Sequence, residues 1–135
     1  MGMDVWGRAP STPAGQYFRA NIWSWRPIQA LINDLCSDLL DEQTLVKLGV
    51  NVGAGPAAED VCREMASRFE RWLEQHVEGH GLELGLRVTP EGRFVSPAEI
   101  AANPTLVTVS PYQVDDDHLK EWVEFLRHCG GFEVW

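Results

Sequence analysis

Tyr17, Phe18, Trp23 and Trp25 interleave with Arg19 and Arg26 in the segment YFRANIWSWR. Aromatic faces stack on bases, sugars or guanidinium groups, and arginine pairs with phosphate or carboxylate. The mixture suits a planar anionic ligand or a protein surface. Trp6 with Arg8 extends it toward the start of the chain. A structural reading competes: the segment has no regular periodicity, so its rings could anchor it to a core, with Arg26 capping a helix end or pairing with acidic residues. Tyr17, Arg19, Trp23, Trp25 and Arg26 are the candidate binding residues.

Other constellations are weaker. Asn51-Val52-Gly53-Ala54-Gly55 precedes a helix start, where free amides can hold an anion. It has no GxGxxG and no Walker lysine, Pro56 removes a donor, and Glu59 and Asp60 already place negative charge there. His76 and His80 are four apart, but Gly79 intervenes and the sequence is not HExxH. Asp115, Asp116 and Asp117 precede an apolar helix pattern, where capping and the helix dipole account for them without a cation. Cys129 follows His128 directly, and neighbours on a helix point apart. Ser110 precedes Pro111 outside any nucleophile elbow. No catalytic residue, metal or cofactor is expected from these patterns.

Charge divides the chain. It has 135 residues and a net charge of −9. Residues 1–30 hold one aspartate (Asp4) against three arginines, a sum of +2, which leaves −11 for the rest. An acidic body is a poor match for a phosphate backbone, so direct nucleic-acid binding is not expected. It suits a basic protein partner. Three cysteines without a CxxC, no hydrophobic leader and no long apolar run lead us to expect free thiols in a cytoplasmic protein off the membrane.

Elements that could position these residues follow from periodicity. Residues 7–16 form a loop and 17–25 could be extended, with Ser24 a candidate cap and Pro27 in a first helical turn. Apolar spacing predicts helices over about 27–40, 56–78 and 116–128, with short helical turns at 41–48 and 97–102. Strands are expected at Leu82–Val88, Arg93–Val95, Leu106–Val109 and Phe132–Trp135, with a hairpin turn at Thr89–Gly92. The expectation is a single α+β domain over 1–135, with about three helices packed on a small, mostly antiparallel sheet. Residues 1–26 form the aromatic and arginine-rich segment and 27–135 the body.

Two stretches carry a resemblance. The opening has Asp4-Val5-Trp6-Gly7, then Gly15-Gln16-Tyr17-Phe18-Arg19-Ala20-Asn21-Ile22-Trp23-Ser24-Trp25-Arg26-Pro27. The ending has Phe125-Leu126-Arg127, then Gly130-Gly131-Phe132-Glu133. Together they resemble a group of small uncharacterised proteins encoded by bacteria and their phages. The resemblance implies such an origin and brings no activity or catalytic residue with it. The leading expectation is a non-enzymatic accessory protein that binds a protein partner or a small anionic ligand through the aromatic–arginine segment. The alternatives are an acidic inhibitor of a basic nucleic-acid-handling protein, or an enzyme whose Arg19 and Arg26 grip a small anionic or nucleotide-like substrate. A homodimer is a further option if residues 132–135 offer a free strand edge.

Overall fold

In the computed structural model, the described residues are 2–75, 82–84, 87–108 and 112–135. The architecture is α+β, as the periodicity indicated. Strands β1 (Gly2–Gly7), β2 (Tyr17–Asn21) and β7 (Phe132–Val134) form an antiparallel sheet in the order β2-β1-β7. Helices α1 (Ile22–Cys36), α3 (Glu59–Gln75) and α5 (Asp116–His128) supply most of the core against its inner face. The shorter helices α2 (Glu42–Lys47) and α4 (Pro97–Ala102) take the places of the two expected helical turns.

Strand β1 is absent from the sequence expectation, although its burial alternates: Met3 and Val5 face inward, Asp4 and Trp6 outward. Helix α1 begins five residues earlier than expected. Asn21, not Ser24, is its cap, its side chain accepting from the Ser24 amide at 2.9 Å. Pro27 therefore lies inside the helix rather than in its first turn. The lost backbone bond is offset by burial of Trp25, Ile28, Leu31 and Ile32. Helix α3 begins later than expected, because residues 53–56 are held against β7. Gly53 N–H donates to Val134 O, Val134 N–H to Ala54 O and Phe132 N–H to Pro56 O, at 2.7–2.9 Å.

The expected strand at Leu82–Val88 is divided into β3 (Leu82–Leu84) and β4 (Arg87–Val88), and β5 is Phe94–Val95. The Thr89–Gly92 turn joins β4 to β5, with Gly92 N–H donating to Thr89 O at 2.8 Å. No strand forms over 106–108; the partner of β3 is instead β6 (Tyr112–Val114). At 108 the backbone carbonyl and hydroxyl of Thr108 accept from Arg87 rather than from a neighbouring strand. Ser96 caps α4 and Asp115 caps α5, each accepting an amide three residues on.

Trp122 stands at the centre of the core. Its ring meets Trp25, Phe69 and Phe132 edge-on and stacks on Phe125 at 5.6 Å. The two stretches that carry the resemblance meet here, because β1 pairs with β7 and the 7–15 loop crosses the end of α5. Arg8 N–H donates to Gly131 O, Ala9 N–H to Cys129 O and Ser11 N–H to His128 O. Gly131 has φ +98°, and a Cβ there would lie 2.6 Å from Ala57 O, so this crossing needs glycine.

Candidate functional site

The outer face of the β2-β1-β7 sheet follows from strand parity. Register places Tyr17 beside Trp6 and Glu133 in one row, and Arg19 beside Asp4 in the next. Asp4 and Trp135 exchange both backbone hydrogen bonds, at 2.8 and 2.7 Å, so Trp135 completes the second row. Successive side chains on a strand alternate in face, and these six share the outer one. Their intervening neighbours Val5, Phe18, Ala20, Phe132 and Val134 are buried.

This face is half open: Trp6 is 50% exposed, Trp135 48% and Tyr17 39%, with Gly53 packed on the Trp135 ring. The rings of Trp6 and Tyr17 sit 4.5 Å apart, tilted by 41°. The polar groups hold one another. Asp4 accepts from the Tyr17 hydroxyl and from Arg19 Nη1, the latter at 3.1 Å. Glu133 accepts from Arg8 Nη1 at 2.8 Å and from Trp135 Nε1 at 3.0 Å. The Tyr17 hydrogen bond, and then the Asp4 charge, hold the Arg19 guanidinium above its ordinary range, so it stays cationic at any working pH. Two carboxylates thus answer two guanidinium groups across the face.

The candidate residues separate. Tyr17 and Arg19 come together on this face. Trp23 is exposed in the first turn of α1, and Arg26 lies on α1 with Nη1 bonded to Gln29 Oε1 at 2.9 Å. Trp25 is fully buried and donates its Nε1–H to Leu48 O at 2.8 Å, so in this fold it is core and presents no contact surface. Asp4, Glu133 and Trp135 belong to the face and were not among the candidates. Period-two alternation at 3–6 and 132–135 is the signal that points to them.

The other motifs have structural partners. The 51–55 loop spends the Gly53 amide on β7, and Asp115 is a cap. His118 donates from Nε2 to Arg19 O at 3.0 Å, which fixes the proton on that nitrogen. His128 faces Ser11 rather than Cys129. Cys129 is buried and donates its thiol to Leu126 O, and its proximity, together with burial, pushes the Cys62 thiol up. His76, His80 and Ser110 lie outside the described residues. Among the described residues no cluster of three or more His, Cys, Asp or Glu is arranged to hold a metal ion, and no helix is long and apolar enough to cross a membrane.

No family model, curated protein or solved structure matches the chain.

Two grooves border α5. One of about 500 Å³ runs between β2 and α5, over Phe18 and beside Asp117 and Glu121. The other, about 630 Å³, lies between α3 and α5 around Leu73 and Val123.

Proposed function

We propose that the chain is a non-enzymatic binding protein and that the open face of the β2-β1-β7 sheet meets a protein partner. The observation that carries this reading is the half-exposure of Trp6, Tyr17 and Trp135 on one side of one sheet. Tryptophan, tyrosine and arginine are the residues that dominate binding energy at protein interfaces. Isolated exposed rings need no explanation, whereas three in adjacent rows form a patch. Asp4 and Glu133 lock Arg19, Tyr17, Arg8 and Trp135 in place, so the face is pre-organised and loses little side-chain entropy on binding.

The charges also favour a protein over a small anion or nucleic acid. Both arginines of the face are answered by carboxylates on it, leaving no excess cation for a phosphate. The Asp4 pairing also counts against Arg19 as one half of a grip on an anionic substrate. The test is capture from lysate of the source cells with the wild-type chain, Trp6→Ala and Trp135→Ala. Each variant is expected to melt within a few degrees of wild type and to lose the captured protein. Retention of the same protein by both variants would remove the face from the function.

A further inference from the structure

The β2-β1-β7 sheet has two edges, and the fold treats them differently. The β7 edge is closed by residues 53–56 through the three backbone hydrogen bonds described above. This closes the route to a homodimer through residues 132–135. Among the described residues the β2 edge has no strand beside it. Because Asp4 spends its backbone groups on Trp135, the Asp4–Arg19 pair is of the non-hydrogen-bonded kind, and the Arg19 backbone groups point away from β1. The same parity turns the Tyr17 backbone groups outward. The His118 bond to Arg19 O shows that orientation directly. Among the described residues no other backbone segment bonds to Tyr17 or Arg19 on that side.

An open edge is a template for another strand, and natural sheets commonly block one with lysine, proline or a bulge. YFRAN carries neither lysine nor proline, and the Arg19 side chain is turned to the sheet face, onto Asp4. The groove of about 500 Å³ lies along this edge, with Phe18 in its lining and α5 as its far wall. On that wall Glu124 is engaged by Arg127, while Asp117 and Glu121 enter no ion pair among the described residues; Lys120 lies between them. Asp117 and Glu121 are one helical turn apart, about 6 Å along the axis. Alternate side chains on a strand repeat at about 6.6 Å. Two basic side chains at positions i and i+2 of an added strand match that spacing.

We propose that the β2 edge is a strand-addition site for an extended basic segment of the partner. The segment pairs with the outward N–H and C=O of Tyr17 and the N–H of Arg19, the Arg19 carbonyl staying with His118 Nε2, and sets Lys or Arg, two residues apart, against Asp117 and Glu121. Backbone pairing gives the affinity, and the alternate side chains give the choice of sequence. This deepens the binding reading and rests on it, but on a surface separate from the aromatic face.

The test is selection of a random twelve-residue peptide library on the immobilised chain, followed by work with one enriched peptide in solution. Enriched sequences are expected to carry Lys or Arg at alternate positions. Amide exchange at Tyr17 and Arg19 should slow at least tenfold in the complex. N-methylation of alternate peptide residues should abolish binding, and the double variant Asp117→Asn with Glu121→Gln should weaken it at least tenfold. No enrichment, enrichment without basic alternation, or binding indifferent to N-methylation overturns the proposal. Trp6→Ala and Trp135→Ala should keep the peptide, so loss of the face reading and loss of the edge reading give different patterns.

Discussion

The two faces of the β2-β1-β7 sheet are built from the same three strands and carry opposite chemistry. On the inner face Met3, Val5, Phe18, Ala20, Phe132 and Val134 are at most 4% exposed. On the outer face Trp6, Tyr17 and Trp135 remain between 39% and 50% exposed, among paired charges. A single aromatic-rich segment therefore supplies both core anchor and exposed surface, and parity within the strand decides which. Ring type does not decide it, since Trp25 is core and Trp6 is surface. The density of large residues near the N-terminus has two causes, and substitutions can separate them.

The largest expected effect lies on the core side. Trp25→Ala removes a fully buried ring and leaves the Leu48 carbonyl without its donor, which should cost about 3–5 kcal/mol in denaturant unfolding. Trp6→Ala should cost only about 1 kcal/mol, the scale of its ring pair with Tyr17. Equal losses at the two sites would erase the distinction between the faces.

Next is the crossing that joins the ends of the chain. Gly131→Ala meets a left-handed backbone and the Ala57 carbonyl together, and should destabilise by about 2–3 kcal/mol. Gly92→Ala, at φ +90° with open space around it, should cost about 1 kcal/mol. A neutral Gly131→Ala would show that the 7–9 and 56–57 segments are loosely held.

A further effect is read against pH. Burial pushes the Cys36 thiol up from 9.0 to about 11, with Arg68 opposing. Between those values the folded chain binds more protons than the unfolded one, so stability falls as pH rises. The contribution is fully present below pH 9 and should decline by about 2 kcal/mol as pH approaches 11. Urea midpoints from pH 8 to 11 should fall less steeply in Cys36→Ala than in wild type. Identical slopes would mean that Cys36 ionises in the folded chain as it does when unfolded.

Much of the fold is legible in the residues. The stripes at 28–35, 61–73 and 119–126, the caps Ser96 and Asp115, and the Thr89–Gly92 turn all act on neighbours a few positions away. Helix ends were harder. Asn21 outcompetes Ser24 as a cap because β2 delivers the chain in extended form at that point. The start of α3 is delayed because Pro56 must serve β7, a partner far along the chain. Half of the candidate site was legible, in Trp6, Tyr17 and Arg19. Asp4, Glu133 and Trp135 join it only through pairing between the two ends of the chain.

The sequence by itself determined the α+β class, the three long amphipathic helices and the uneven charge, because periodicity, capping and composition are local properties. Tertiary structure alone decided which rings are buried, which sheet edge is closed, and that Trp6, Tyr17 and Trp135 form one face. Those outcomes depend on strand register and neighbouring segments, and a shift of one residue in register would turn every side chain of β1 to the opposite side.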